Sequence, residues 1–362
     1  MTSTPDTSSD ASLDKSTTFT GWASTGTIEL KKWSYHPRLL SEDEIEIEIT
    51  HCGICGSDIH TITSGWGDLK YSPCIPGHEV VGKVVVKGAN TTHQIGDLVG
   101  VGGLISSCGN CKHCKTGFEQ FCPERTFIFN DTFKDGRGGL TYGGFADRLQ
   151  VHGKFAFKIP DGLSGAEAAP LLCAGLTVFN PLKTLGAGPG KKVGVIGIGG
   201  LGHLGVQFAR AMQCDEVVAI SSGDSKREEA FKLGATKYIN SSKPEEMKAA
   251  HQSLDIILYT STGKNIDWSG LVDLIGNRGK LVVVAFLGES LGVPGYPLNV
   301  RHISISGSII GGIETTKEMI AFAAKHNVRS LVEVMPMSNA TEAIQRADDG
   351  HPRFRVVLDA SK

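Results

Sequence analysis

Four cysteines lie close together, as Cys108-Gly-Asn-Cys111-Lys-His-Cys114 followed by Cys122. Four thiolates at such spacing, with glycine between them, wrap one tetrahedral ion and leave no coordination position open. A zinc ion held in this way folds a lobe that has no core of its own. Other metal-capable side chains are scattered. Cys52, Cys55 and His60 share the segment Thr50-His-Cys-Gly-Ile-Cys-Gly-Ser-Asp-Ile-His60, His78-Glu79 follows, and Cys173 stands in Leu171-Leu-Cys-Ala-Gly175. A catalytic zinc takes three protein ligands and keeps one position for water or substrate. Spacing alone neither joins these residues nor chooses between Cys52 and Cys55.

A second kind of chemistry is written in Gly197-Ile-Gly199-Gly200-Leu201-Gly202, which follows the strand-like Lys192-Val-Gly-Val-Ile196 and opens a helical stretch. This is G-x-G-x-x-G in its required setting. Gly197 allows the tight turn, Gly199 lets backbone approach a pyrophosphate, and Gly202 lets helix and strand pack closely. A dinucleotide is the expected ligand. The next strand, Glu216-Val-Val-Ala-Ile220, ends in Ser221-Ser222-Gly223, where NAD-binding chains place a carboxylate for the ribose 2′-hydroxyl. Small hydroxyls leave room for a 2′-phosphate, and Lys226 or Arg227 can neutralise it, so NADP(H) is the predicted cofactor. Asp224 stands two residues beyond the usual place of the carboxylate.

The elements that must position these groups fall into two textures. Residues 19–163 are predicted to form a β-rich domain. Thr27–Trp33 and Glu44–Thr50 alternate apolar and polar residues as half-buried strands do, and Val80–Val86 and Leu98–Val101 continue the pattern. From Ser164, an N-cap with Glu167 at capping-box spacing, strand and helix patterns alternate. Residues 164–312 therefore read as a doubly wound parallel-sheet domain. Residues 313–362 carry helical segments around 318–325 and 340–347. They close with the strand-like Phe354–Leu358, a candidate to return to the first domain.

Composition bounds the rest. The chain has 362 residues, 46 of them Gly, and a net charge of −2. That size suits two domains, and that charge gives nucleic-acid binding no electrostatic support. No run of about 18 apolar residues exists to span a membrane. Residues 1–18 are rich in Ser, Thr and Asp and read as a disordered tail, without the apolar core of a secretory signal. Nine cysteines without such a signal favour metal binding over a disulfide framework, and a cytoplasmic location.

Taken in order, Cys-x-x-Cys-x-Ser-Asp, Gly77-His78-Glu79, the four-cysteine lobe, Leu172-Cys-Ala-Gly-Leu-Thr177 and the glycine loop resemble the zinc-dependent medium-chain dehydrogenases. The chain is most similar to their cinnamyl alcohol dehydrogenase branch, including microbial NADP-dependent alcohol dehydrogenases. The resemblance spans roughly residues 20–360. It implies a GroES-like catalytic domain joined to a Rossmann domain. It also implies interconversion of primary alcohols and aldehydes with NADP(H), and two zinc ions per chain. Under it, Cys55, His78 and Cys173 match the catalytic zinc ligands, and Cys108, Cys111, Cys114 and Cys122 the structural ones. Glu79 matches a carboxylate that approaches the zinc, and Asp58 the residue that orients His78. Ser57 matches the hydroxyl that exchanges the substrate proton, and His60 the outer acceptor. Thr177 joins Gly197, Gly199, Gly200, Leu201, Gly202, Ser221, Ser222, Lys226 and Arg227 as expected cofactor contacts. Trp66, Phe127 and Phe286 are candidates for a pocket accepting cinnamyl, benzyl or medium aliphatic substrates. Residues 300–310 resemble the region through which relatives form homodimers. Two other readings are a reductase of activated double bonds and a non-catalytic NADP-binding protein. Intact Ser57, His60 and Glu79 argue against the first, and the complete ligand set against the second.

Overall fold

The computed structural model describes residues 13–263, 266–287 and 290–361. Most of the expected tail, Met1–Ser12, lies outside the described residues. Leu13 pairs with Arg38, and Asp14 N donates to Pro37 O. The chain divides into two compact units. One runs up to Cys173 and takes in Gly311–Ala324 and the segment from Arg329 onward; the other is Ala174–Ile310 with Lys325–Val328. Among the described residues no helix is long and apolar enough to cross a membrane.

The first unit is built on a seven-stranded sheet. Its centre is Glu44–Ile54, paired antiparallel with Glu79–Lys87 on one side and with the C-terminal strand Arg355–Asp359 on the other. Ile45, Ile47 and Ile49 supply the buried face that the alternating pattern predicts. The other face departs from expectation, because Glu44 and Glu46 are buried as well. Arginines explain this: Arg38 and Arg137 bind the Glu44 carboxylate and Arg148 binds Glu46, so neither charge is left unpaired away from water. Thr27–Glu29 is not strand; the pairing there is Phe19–Ala23 with Lys31–Tyr35. The Ser164–Glu167 capping box forms as read, but it starts only the short helix Gly165–Ala168.

The second unit is a six-stranded parallel sheet. Its order is Lys237–Asn240, Glu216–Ser221, Lys192–Ile196, Leu254–Tyr259, Ile275–Val283, Ser304–Gly307. Numbered along this unit, that is 3-2-1-4-5-6, the Rossmann order, with its switch point beside Lys192–Ile196. Near-continuous Val, Ile and Leu in Lys192–Ile196, Glu216–Ser221 and Leu254–Tyr259 suit strands covered on both faces. Their side chains pack with Trp268, Leu271 and Leu281 into one core. The glycine loop leaves the carboxyl end of the strand at the switch point.

Candidate active site

In the first unit the chain turns sharply at two places to bring distant ligands together. Glu44–Ile54 ends at Cys55, the N-cap of the helix Gly56–Ile62. His78 enters the strand Glu79–Lys87 after Gly77, whose φ is +105°. A Cβ at Gly77 would press within 2.9 Å of the Phe145 ring and of Cys52 Sγ, so glycine is required there. Cys173 follows the 3₁₀ turn Ala169–Leu172. One ligand atom from each of Cys55, His78, Glu79 and Cys173 lies within 4.8 Å of the others.

Asp58 ties this cluster together. It is fully buried and accepts from His78 Nδ1 (2.7 Å), Gly77 N (3.0 Å) and Cys55 N (2.9 Å). Because Nδ1–H donates to the carboxylate, Nε2 is left to face the cysteines, 3.2 Å from Cys173 Sγ. The Cys173 thiol holds the Cys55 thiol well below its ordinary range. Hydrogen bonding to Cys55 and burial push that of Cys173 well up. Two sulfurs, one imidazole and a neighbouring carboxylate form a donor set that fits zinc with a position to spare.

Glu79 is fully buried; Arg355 Nη2 donates to its Oε1, while Oε2 has no hydrogen-bond partner. Burial pushes the Glu79 carboxyl up to about 7 even with Arg355 beside it. Gly53 makes room for Glu79, since a Cβ there would sit 2.0 Å from Oε2. An orphaned carboxylate oxygen next to the ligand cluster is what an exchangeable metal contact requires.

Ser57 Oγ lies 3.8 Å from Cys55 Sγ, and His60 stands one helical turn farther along, exposed and stacked on Trp66 at 5.3 Å. Cys52 is not part of the cluster; its thiol donates to Gly53 O and is pushed well up by burial. Of the pocket candidates, Trp66 therefore lies beside His60. Phe127 is an exposed residue of the strand Thr126–Phe127, with Arg125 5.2 Å from its ring centroid. It is Phe129 whose ring lies 6.1 Å from that of His78.

The four-cysteine lobe closes on itself. Neighbouring sulfurs stand 3.5 Å (Cys108–Cys122), 3.6 Å (Cys111–Cys114) and 3.9 Å (Cys108–Cys114) apart. Zinc–sulfur bonds of about 2.3 Å in a tetrahedron give an edge of about 3.8 Å, so the sulfurs already have the required spacing. Backbone N–H groups of Asn110 and Cys111 bring the Cys108 thiol down to about 7, toward the thiolate a metal binds. Glu119 anchors the lobe: its Oε2 accepts from Ile313 N (3.0 Å) at the start of the helix Ile313–Lys325.

In the second unit Gly197 has φ +88°, and a Cβ there would meet Ser261 at 2.9 Å. A Cβ on Gly202 would stand 1.9 Å from Gly197 O, whereas one on Gly199 would meet nothing. The tight turn, the close helix–strand approach and the open central position are thus all present for a pyrophosphate. Gly200 and Leu201 lead into the helix Gly202–Ala211, and Thr177 is buried in the helix Ala174–Thr184. Thr260 Oγ1 braces the loop by donating to Ile196 O (2.8 Å) and Gly197 O (2.7 Å). His203 is buried and hydrogen-bonds back to Gly199 O. Ser221 ends its strand and Ser222 is exposed beyond it. Lys226 caps the helix Arg227–Lys232, and Phe286 is exposed.

Residues 41–161 match the alcohol dehydrogenase GroES-like domain, and residues 200–325 match the zinc-binding dehydrogenase domain. The chain is 40% identical over 354 residues to a probable cinnamyl alcohol dehydrogenase of Populus deltoides, covering 97% of this chain and 98% of the relative. It belongs to the zinc-dependent medium-chain dehydrogenases of the cinnamyl alcohol dehydrogenase family. Solved structures agree. A cinnamyl alcohol dehydrogenase of Sorghum bicolor superposes with a TM-score of 0.90 at 36% identity, over 95% of this chain and 98% of that one. The Helicobacter pylori cinnamyl alcohol dehydrogenase, solved with NADP(H), gives 0.87 at 30% identity, over 95% and 99%.

In this dehydrogenase the residues that sequence reasoning missed are mostly partners of those it found. Arg355 and Thr260 carry no motif. Arg227, read as a phosphate neutraliser, binds Asp224 and Glu246 in this structure and lies over the Tyr238 ring.

Proposed function

We propose that the chain interconverts primary alcohols and aldehydes of cinnamyl, benzyl or medium aliphatic type with NADP(H), working mainly as an aldehyde reductase. The observation that carries this reading is the meeting of Cys55, His78 and Cys173, remote in sequence, with Glu79 at their side. A zinc ion bound there acts as a Lewis acid on the substrate oxygen, and the nicotinamide of NADP(H) carries the hydride.

The chain's own residues hold the metal and move the proton. Asp58 fixes the tautomer and ring of His78, and Arg355 aims Glu79 and offsets part of the cost of burying its charge. Ser57 Oγ returns a proton to the substrate oxygen in reduction. His60, three residues on along the same helix face and exposed, links it to solvent. Phe129 and Trp66 offer apolar surface to an aromatic substrate. A second zinc at Cys108, Cys111, Cys114 and Cys122 is structural, giving two per chain.

The molecule works as a homodimer in the cytoplasm. Ser304–Gly307 is the end strand of its sheet, and Tyr296, Val300 and Ile309 around it are exposed apolar side chains that a second chain would cover. The test is a panel of aldehydes with NADPH and the purified protein. Conversion of cinnamaldehyde to cinnamyl alcohol supports the reading. Saturation of its double bond instead, or no turnover of any aldehyde by zinc-loaded protein, overturns it.

A further inference from the structure

The end of the strand Glu216–Ser221 holds a ring of charge that the motifs did not show. Asp224 Oδ1 accepts from Arg227 Nε (3.0 Å) and Nη2 (2.7 Å), and its Oδ2 from Lys243 Nζ (2.9 Å) and Asn240 Nδ2 (3.1 Å). Four donor atoms from three residues converge on one carboxylate, the arrangement that phosphate oxygens also take. The register brings Lys243 there. Asn240 pairs with Ser221, Ser241 N donates to Ser221 O (2.8 Å), and Ser242 Oγ donates to Ser222 O (2.8 Å). Lys243 thus arrives beside the two serines from the neighbouring strand, nowhere near them in sequence.

Resting on the reading of NADP(H) as cofactor, we propose that Asp224 is an internal anion occupying the seat that the cofactor's 2′-phosphate takes over, with Lys243 and Arg227 as the cations that select it. The site is built for exchange. Asp224, Lys243 and Arg227 side chains are 45%, 40% and 34% exposed, and ion pairs that wet are weak. A phosphate brings up to twice the charge and three strong acceptor oxygens. The cations do not scatter when Asp224 is displaced. Lys243 Nζ and Arg227 Nη2 also stand 3.2 and 3.3 Å from Glu246 Oε1, and Asn240 N holds Glu246 (2.7 Å). Arg227 is further held over the Tyr238 ring, whose hydroxyl donates to Gly223 O. Lys243 and Arg227 keep the Asp224 carboxyl well below the usual range, so it competes as an anion at every working pH. Selection for the phosphate is consequently weaker than the cation count alone would give.

The experiment is calorimetric titration of the full chain with adenosine 2′,5′-bisphosphate and with 5′-AMP, which needs no turnover. The unsubstituted protein is expected to bind the bisphosphate at least about tenfold tighter. Lys243→Gln should lower that ratio about fivefold or more, Lys243→Arg should preserve it, and Asp224→Asn should raise it about threefold or more, with 5′-AMP affinity little changed. A ratio unmoved by Lys243→Gln, or lowered by Asp224→Asn, overturns the proposal while leaving the cofactor reading intact. Equal affinity of the unsubstituted protein for the two ligands overturns both.

Discussion

Arg355 Nη2 donates to Glu79 Oε1 across 276 residues of sequence, and both side chains are buried. The strand Arg355–Asp359 therefore does more than complete the sheet; it delivers a cationic partner to the carboxylate beside the metal-ligand cluster. Removing one member of a buried pair strands the other charge. Arg355→Met is expected to cost on the order of 3–5 kcal/mol in urea unfolding, and adding Glu79→Gln should recover part of it. A loss under about 1 kcal/mol for Arg355→Met would show that the pair carries little weight.

Ser57 is expected to act on the proton and not on the metal. Ser57→Ala should lower kcat by about a hundredfold or more while zinc content and thermal stability stay unchanged. Steady-state kinetics with parallel metal analysis checks this. A fall in zinc content together with kcat would assign Ser57 to the metal site's structure instead.

The four-cysteine lobe is expected to be a separate unit of stability. Cys111→Ser should release one zinc and lower Tm by roughly 5–10 °C, corresponding to a few kcal/mol in a molecule of this size. Glu119→Gln, which weakens only the anchor to Ile313, should cost about 1 kcal/mol with both zincs kept. Calorimetry and zinc content on the two variants decide it; equal effects would mean that the lobe and its anchor are one cooperative element.

Much of this was legible in sequence because the chemistry demands local spacing. Cysteines 108–122 must lie within one loop to share an ion, and the glycine loop must connect one strand to one helix, so both announce themselves in consecutive residues. Cys173 and His78 could be read as ligands of one ion only through family resemblance, since chain topology and not spacing joins them. Arg355, Thr260 and Lys243 were illegible for the same reason. Each is an ordinary residue type whose role comes from a contact made by folding. Glu44 and Glu46 misled in the opposite direction. Their alternation with isoleucine looks like a wet face, and only the arginines folded against them make burial tolerable.

Ser221→Asp should favour NADH, because a carboxylate at the strand end accepts from a ribose 2′-hydroxyl and repels a 2′-phosphate. The ratio of kcat/KM for NADPH over NADH is expected to fall at least about tenfold, or about 1.4 kcal/mol. An unchanged ratio would place the 2′ substituent elsewhere.

The most direct test of the central claim is the zinc content of the purified protein and of Cys55→Ser, measured together with cinnamaldehyde reduction. The account predicts two zinc ions per chain, falling to one in the variant, with turnover lost and the circular dichroism spectrum retained. Two zinc ions and undiminished turnover in Cys55→Ser would contradict it.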